Sequence, residues 1–296
     1  MQLTTETVRT AVAAALDEDQ AADDVTTRWS VPEALEVEAT MIAKQAGRVA
    51  GLTAVQEVYA AVDPTVTVRP AVADGDPVVP GQPLAWISGS ARSIITGERV
   101  ALNFAQRMSG IATLTSAFVA AIGTHPVALL DTRKTAPGLR AMDKYAVSCG
   151  GGTNHRLDLS AMVLLKENHL AAAGGVLPAV RRVRDGMAAE GNDIAIEVEV
   201  TTAEEARDAL DCRVEWILLD NMPVDLMARI VEWRNTSGSA TRLEASGNIS
   251  VDTIADVAAT GVDAISVGAL THSPTALDIS LLVTRNHASS SPVIAS

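Results

Sequence analysis

The sequence predicts an α/β protein whose second half contains a parallel sheet. From residue 126 onward, apolar runs of strand length alternate with helical stretches until a last run at 263–268. Because neighbouring parallel strands need a crossover connection, this alternation favours a parallel sheet. The runs are largely apolar, as strands covered on both faces must be. A barrel and a doubly wound sheet both satisfy this pattern.

The first 105 residues have a mixed pattern that indicates a separate α/β region. Glycine, proline and aspartate punctuate short apolar runs there, which is typical of strands joined by turns. The predicted elements are a helix at 5–17, a strand at 36–44, short strands within 66–88, and a long helix from about 91 to 122 that breaks near Ser109–Gly110.

The second half is predicted to hold five strand-then-helix units and a sixth strand. The residues from Arg285 onward form a Ser-rich tail that we expect to be frayed. The predicted strands are 126–132, 161–166, 193–200, 215–220, 241–245 and 263–268, and the helices are 141–149, 174–190, 202–210, 223–235 and 250–260.

Composition excludes several classes of function. The formal net charge of -13 argues against nucleic acid as a partner, because a phosphate backbone requires a broad basic surface. No apolar stretch approaches the ~20 residues that span a bilayer, so we expect no membrane segment. The first residues lack a basic and then apolar signal pattern, and the two cysteines suit reduced thiols. We therefore expect a cytoplasmic protein.

The lysines are few and unevenly placed. The chain has 4 lysines and 19 arginines, and three of the lysines fall between residues 134 and 166. Lys134 and Lys166 stand at the ends of apolar runs, where an ordinary solvated charge is not expected. An acidic protein that gathers cations in one segment suits a multiply anionic small molecule. The cations of this segment are Arg133, Lys134, Arg140, Lys144, His155, Arg156 and Lys166.

Charged residues also recur where the predicted strands end. In a parallel barrel the carboxyl ends of the strands share one face, and that face carries the active site. We therefore expect these side chains to line a common mouth. They are Asp131, Arg133 and Lys134 after the first strand, then Lys166, Glu197 with Glu199, Asp220, and Glu244, while Gly268 ends the sixth strand.

Acids and glycines at this mouth have two interpretations each. Glu199 and Asp220 either neutralise the cations or stabilise positive charge and bind a hard metal ion through oxygen. Ser246 and Gly247 follow the fifth strand, and with Gly268 they suit a phosphate cradle of backbone amides. Such glycines are also common in ordinary αβ turns. His169 lacks partners at the spacing of a metal site.

These motifs carry a resemblance to quinolinate phosphoribosyltransferases, also called carboxylating nicotinate-nucleotide pyrophosphorylases. The resemblance extends over roughly residues 15–285, and its many ordered matches are specific for the family. The matching motifs lie at 98–103, 109–113, 131–135, 150–156, 166–169, 197–199, 219–221, 244–247 and 267–273.

The resemblance implies a fold, an assembly and a reaction. An N-terminal open-faced α/β sandwich at 1–108, joined by the segment 273–296, precedes an incomplete α/β barrel at 109–272. Two such chains form a homodimer in which Arg99 reaches the partner's site. The implied reaction joins quinolinate to phosphoribosyl pyrophosphate with Mg²⁺, and it gives nicotinate mononucleotide, pyrophosphate and carbon dioxide in de novo NAD biosynthesis.

The resemblance also implies roles for individual residues. The catalytic residues are Lys134, Lys166, Glu199 and Asp220, of which the two acids face the ribose or the metal. Arg133, Lys134, His155, Arg156 and Lys166 surround the quinolinate and pyrophosphate, and Ser246, Gly247 and Gly268 hold the 5′-phosphate.

The sequence departs from the family pattern at a few positions. Glu167 replaces an Asp that is usual after the motif lysine, and Leu157 with Asp158 replaces an aromatic residue and a glycine. Three alternatives stay open. They are an aldolase-like Schiff-base enzyme, a paralogue linked to molybdenum uptake, and a non-catalytic protein that binds a phosphate ligand.

Overall fold

The computed structural model describes residues 3–285, and these fall into two units. Within the described range, the first unit contains residues up to Leu114, together with Pro137–Gly150 and the segment from Pro274. The second unit contains Thr115–Ala136 and Gly151–Ser273. The predicted division at 108/109 differs from this one chiefly because Pro137–Gly150 groups with the first unit. The Ser-rich tail lies outside the described residues beyond Arg285.

The first unit is built on a four-stranded antiparallel sheet in the order β12-β1-β5-β3. Along β1 the residues alternate between buried and more exposed, so one face of the sheet is covered, as in an open-faced sandwich. The strands of this sheet are β1 (Glu36–Ala43), β3 (Thr67–Pro70), β5 (Pro83–Ser90) and β12 (Ile279–Arg285), while β2 (Gly47–Arg48) and β4 (Pro77–Val78) pair with each other in a separate two-stranded sheet. The helices are α1 (Thr5–Glu18), α2 (Val25–Ser30), α3 (Leu52–Val62), α4 (Ala91–Ile122) and α5 (Arg140–Cys149).

Helix α4 is continuous, so the predicted break near Ser109–Gly110 is wrong. Ser109 is buried, and its hydroxyl donates to the Ala50 carbonyl at 3.1 Å and accepts from the Ala50 N–H at 3.0 Å. A Cβ on Gly110 would collide with the carbonyl oxygen of Thr275 and lie 3.0 Å from Ala276 Cα. The two small residues therefore permit close packing against neighbouring backbone and do not interrupt the helix.

A buried ion pair joins α4 to α5. Arg107 donates from Nε and Nη2 to the two carboxylate oxygens of Asp143, at 2.9 and 2.7 Å. The Asp143 side chain is fully buried, so this bidentate pair supplies the partner that a buried carboxylate requires.

The second unit contains the predicted parallel sheet, with strands in the order β6-β11-β10-β9-β8-β7. Consecutive strands from β7 to β11 are neighbours, and β11 returns to pair with the first strand, β6. This order never reverses, whereas a doubly wound sheet has a reversal at its switch point. The sheet is therefore a barrel that stays open between β6 and β7. The strands are β6 (Ala128–Leu130), β7 (Val163–Leu165), β8 (Ile196–Val200), β9 (Trp216–Asp220), β10 (Arg242–Ser246) and β11 (Ala264–Ser266).

The helices of the second unit follow the predicted alternation, with two differences. Residues after Lys166 form a helix in which His169 lies, because His169 Nδ1 accepts the Lys166 N–H at 3.0 Å in the first turn. The helix predicted at 250–260 is shorter, since hydrogen bonds between Ser250 and Thr253 form a turn before it. The helices are α6 (Glu167–Ala173), α7 (Val176–Glu190), α8 (Ala203–Asp211), α9 (Val224–Ser237), α10 (Ile254–Ala258) and α11 (Ala269–His272). None of the helices within residues 3–285 is long and apolar enough to cross a membrane.

Candidate active site

A polar cavity of about 510 Å³ opens at the carboxyl ends of the parallel strands. This is the end at which the loops of an α/β barrel build a site. Most of the predicted site residues line the cavity. They are Arg133, Lys134, His155, Arg156, Lys166, Glu199, Asp220, Ser246 and Gly247.

A larger open groove of about 1080 Å³ lies at the opposite ends of the strands, beside Trp216 and Trp233. None of the predicted site residues lines this groove. The carboxyl-end cavity is therefore the better candidate, because it lies at the barrel end that carries active sites and gathers the predicted site residues.

Two arginines on neighbouring loops face the cavity with unused binding capacity. The Nε atom of Arg133 is buried and has no hydrogen-bond partner among the described residues. Arg156 donates from Nη1 to the Met162 carbonyl at 3.0 Å. Burial and the nearby charge of Arg133 lower the pKa of Arg156. Two arginines this close repel each other, and a bound anion would relieve that repulsion.

Lys166 and Glu199 form an ion pair in the cavity lining, with Nζ 2.7 Å from Oε2. Lys166 directly follows β7 and precedes α6, while Glu199 lies on the neighbouring strand β8. The lysine side chain keeps about half of its surface exposed, at 48%. The pair is thus accessible to a ligand in the cavity.

Lys134 is positioned by its backbone on the other side of the opening. Its N–H donates to Thr132 Oγ1 at 3.0 Å, and its carbonyl accepts from Thr271 Oγ1 at 2.8 Å. The missing side chain of Gly268 makes room for Lys134, since a Cβ there would lie 3.0 Å from the lysine Cδ. Gly268 therefore lies beside the cavity although it does not line it.

Asn221 organises the loops after β9 and β10, and this residue received no role from the sequence. Its side chain donates from Nδ2 to Asp220 Oδ2 at 2.9 Å and accepts from the Asn248 N–H at 3.2 Å. A Cβ on Gly247 would collide with the Asn221 amide, and the Gly247 φ of +131° also disfavours any other residue. Glycine is required here by backbone conformation and by this close approach.

Three buried acids surround His155 at the wall of the cavity, which Asp131, His155 and Glu244 help to line. His155 Nε2 lies 3.1 Å from Glu197 Oε2 and 3.3 Å from Glu244 Oε2. The third acid, Asp131, accepts hydrogen bonds from the backbone N–H of His155 at 2.9 Å and from the side-chain amide of Asn154 at 2.7 Å. The sequence marked these acids as strand-end charges, but it did not indicate that they converge on one histidine.

The His155 cluster retains a proton that an isolated carboxyl group releases. Burial favours neutral imidazole, and the Arg156 N–H that donates to Nδ1 excludes a second ring proton, so His155 is neutral. Burial raises the pKa of Glu197 to about 7, despite the opposing effect of its bond to His155. Because Nδ1 accepts the Arg156 N–H at 2.8 Å, the retained proton lies on the Nε2 side.

Three other positions singled out in the sequence lie away from the cavity lining, whereas Asp131 and Glu244 are part of it. Arg99 is an exposed residue of α4 in the first unit. Glu167 is an exposed residue at the start of α6. Asp158 is exposed and accepts from the N–H groups of Ser160 and Ala161, so its carboxylate closes a local turn.

Two models of known protein families match consecutive parts of the chain. The model of the quinolinate phosphoribosyl transferase C-terminal domain matches residues 111–282, and that of the N-terminal domain matches residues 24–109. The chain belongs to the quinolinate phosphoribosyltransferase family. The resemblance inferred from the motifs is therefore confirmed.

Individual members of the quinolinate phosphoribosyltransferase family agree with this assignment. "Quinolinate phosphoribosyltransferase [decarboxylating] 1" of Nicotiana glauca is 43% identical over 272 residues, covering 88% of this chain and 77% of that protein. A rice protein named "Nicotinate-nucleotide pyrophosphorylase [carboxylating], chloroplastic" is also 43% identical over 88% of this chain and 73% of its own length. The crystal structure of NadC from Streptococcus pyogenes superposes with a TM-score of 0.89 at 38% identity, covering 97% and 99% of the two chains. The predicted α/β fold with an open barrel is confirmed.

Two sets of side chains have the donors that a divalent cation requires. Glu199 and Asp220 both line the cavity, and carboxylate oxygens suit Mg²⁺. The ligand atoms of His155, Glu197 and Glu244 also lie within 4.8 Å of one another, but both glutamates are almost fully buried and His155 Nδ1 accepts the Arg156 N–H. A phosphate-bound Mg²⁺ therefore fits the two cavity acids better.

Proposed function

We propose that this protein transfers the phosphoribosyl group of phosphoribosyl pyrophosphate to quinolinate, with loss of carbon dioxide. The observation that carries the proposal is the cation set around the cavity, in which a buried Arg133 Nε lacks a partner among the described residues. Two carboxylates, a 5′-phosphate and a pyrophosphate supply the negative charge that these cations match. The product is nicotinate mononucleotide, and the reaction is a step of NAD biosynthesis.

The basic residues act mainly by positioning anions. Arg133 and Arg156 offer planar guanidinium groups to carboxylates, while Lys134 and Lys166 contribute point charges to the pyrophosphate and the pyridine ring substituents. Holding both substrates in line converts their encounter into a unimolecular step, so no covalent enzyme intermediate is needed.

The acids act on the positive charge that develops at the ribose. As the bond to pyrophosphate breaks, the ribosyl carbon becomes cation-like, and Glu199 and Asp220 stabilise it electrostatically. The quinolinate ring nitrogen then forms a bond to that carbon and becomes a pyridinium. The positive nitrogen stabilises the carbanion left when the adjacent carboxylate departs, and a proton from solvent replaces the carbon dioxide.

The proposal includes Mg²⁺ bound with phosphoribosyl pyrophosphate. Glu199 and Asp220 have the oxygen donors for it, and Mg²⁺ is usually held by one or two carboxylates together with substrate phosphates. When bound, it neutralises the departing pyrophosphate. Activity should depend on free Mg²⁺, and Asp220→Asn should raise the concentration required for half-maximal activity.

The direct test monitors quinolinate consumption and carbon dioxide release in the presence of phosphoribosyl pyrophosphate and Mg²⁺. We expect quinolinate to react and nicotinate, in a parallel reaction, to remain unchanged because it lacks the second carboxylate. A folded protein that leaves quinolinate intact would contradict the proposal. Such a result would favour the molybdenum-linked paralogue, or a binding protein if phosphoribosyl pyrophosphate still binds.

The proposal extends to assembly and location. We propose a homodimer in which Arg99 contributes to the partner's site, supported by the family resemblance and by the exposure of Arg99 on α4. We also propose that the protein acts in the cytoplasm, where fractionation of producing cells would detect it.

A further inference from the structure

Folding stability does not explain the two buried glutamates beside His155. Glu197 and Glu244 are 0% and 1% exposed, and both approach the single Nε2 atom of His155. Glu197 Oε1 and both carboxylate oxygens of Glu244 are buried without a hydrogen-bond partner among the described residues, so Glu244 meets His155 electrostatically at 3.3 Å. Buried carboxylates with unsatisfied oxygens destabilise a fold relative to apolar side chains. An arrangement of this kind calls for a functional explanation.

The strands place these two acids on either side of an intervening strand. Glu197 lies on β8 opposite Trp216 of β9, and Glu244 lies on β10 opposite Leu218 of the same strand. The imidazole therefore bridges two strands that do not pair with each other. Its ring is held from both sides and retains little freedom to rotate.

The other ring nitrogen fixes the next residue. His155 Nδ1 accepts the backbone N–H of Arg156 at 2.8 Å, and the Arg156 guanidinium donates to the Met162 carbonyl at 3.0 Å. The backbone N–H of His155 donates to the carboxylate of the buried Asp131. The loop that carries Arg156 is thus anchored at its backbone before the side chain reaches the cavity.

We propose that Glu197 and Glu244 are positioning residues, which hold His155 so that its Nδ1 fixes the backbone of Arg156 and aims this guanidinium at the anionic substrate. The inference rests on the proposed function for the identity of that substrate, quinolinate. It assigns the two glutamates a part in binding that acts through His155 and Arg156.

The hydrogen-bond geometry also distinguishes this role from metal binding. A histidine that binds a metal through Nε2 carries its proton on Nδ1 and donates it to a partner. Here Nδ1 accepts a backbone N–H, so it has no proton, and Nε2 is the protonated nitrogen. The cluster is therefore a hydrogen-bonded anchor and not a cation site.

The first experiment measures the tautomer of His155 in the whole protein by ¹⁵N NMR of histidine side chains. The chain has 5 histidines, and the signal of His155 is assigned by its loss in His155→Gln. We expect a protonated Nε2 and an unprotonated Nδ1. A protonated Nδ1, or a divalent metal that copurifies at one per chain, would overturn the proposal whether or not the enzyme turns over.

The second experiment is a double-mutant cycle on quinolinate binding, measured by calorimetry and as kcat/KM. Glu244→Gln and Glu197→Gln should each weaken quinolinate binding by about 10–100-fold, the range seen when an orienting partner is lost. If they act through Arg156, then adding either change to Arg156→Ala should cost less than about twofold more.

The control variant is Asp263→Asn, which removes a carboxylate that binds Arg234 and the Leu243 N–H elsewhere in the same unit. We expect its quinolinate affinity to match that of the unchanged protein. Additive losses in the cycle would refute the positioning role. Absence of quinolinate turnover in the unchanged protein would instead refute the proposed function, while the NMR measurement would still decide the tautomer.

Discussion

Arg133 lines the cavity with a buried Nε that lacks a hydrogen-bond partner among the described residues. An unsatisfied buried guanidinium nitrogen costs free energy in the unliganded protein. A carboxylate or phosphate that meets this nitrogen recovers that cost on binding, so Arg133 favours the anion-bound state.

Replacing Arg133 with alanine should therefore lower kcat/KM for quinolinate by about 100-fold or more while the fold persists. Lys166→Ala should have a similar effect, because it removes the ammonium that faces Glu199. Steady-state kinetics measures the loss of kcat/KM, and circular dichroism measures whether each variant remains folded. The control is Arg69→Ala, whose guanidinium stacks on Trp86 at 4.0 Å in the first unit. Near-normal turnover in folded Arg133→Ala would remove this residue from the site.

Gly110 has a structural role that is separate from the chemistry. Because a Cβ would collide with the Thr275 carbonyl, Gly110→Ala should destabilise the protein by about 1–3 kcal/mol through overpacking. The matched control is Gly186→Ala on α7, where a Cβ meets nothing within 4 Å. That change should stabilise the protein by up to about 1 kcal/mol. Urea unfolding midpoints of both variants test the contrast, and equal midpoints would contradict it.

At the scale of single elements, the short helix α2 depends on its N-cap. Asp24 Oδ1 accepts the Thr27 N–H at 2.9 Å, and Oδ2 accepts from Thr96 Oγ1 at 2.9 Å. The hydrogen bonds from Thr27 lower the pKa of Asp24 below its ordinary value of about 3.8, although burial opposes them. The ionised form is therefore the one that the folded state stabilises.

Asp24→Ala should lower stability by about 1 kcal/mol at neutral pH. Because the folded pKa is depressed, the contribution of Asp24 is complete above pH 3.8 and is lost as the pH falls through the folded value. Urea unfolding at neutral and strongly acidic pH measures the change. Asp193→Ala, at an exposed position, should show no such dependence. If Asp24→Ala and the unchanged protein still differ equally in stability in strong acid, the charge of Asp24 is not the source of the difference.

The elements were largely predictable, because strand–helix alternation is a local property of the sequence. The exceptions have physical causes. The Ser109–Gly110 pair resembles a helix break, but tertiary contacts with Ala50 and Thr275 explain it. Helix α6 is short, and the side chain of His169 caps its first turn.

The sequence predicted which residues line the candidate site better than it predicted how those residues contact one another. Strand-end charges identified the cavity lining, since period-two alternation and parallel pairing bring those ends together. The convergence of Glu197 and Glu244 on His155 was not predictable, because it depends on contacts across an intervening strand. Asn221 was missed for the same reason, since its contacts reach Asn248 on another loop.

At the scale of the whole molecule, the proposed dimer makes a prediction that needs two inactive variants. Arg99→Ala and Lys166→Ala should each be inactive alone, yet an equimolar mixture refolded together should recover about a quarter of the activity. Half of such dimers are mixed, and one of their two sites draws both required residues from intact copies. Sedimentation confirms that dimers form. No recovery from well-formed mixed dimers would exclude sharing of Arg99.

The pairing of β12 with β1 has a consequence for how the protein is made. Ile279 lies opposite Ala43 in this antiparallel pair, so one strand is translated more than 200 residues after its neighbour. On the ribosome, β1 waits with an open edge until almost the entire described chain has emerged. All strands of the barrel lie between the two, so the barrel sheet can assemble while the first sheet is still incomplete. A chain released before residue 279 would therefore expose the unpaired edge of β1, and such an edge promotes aggregation.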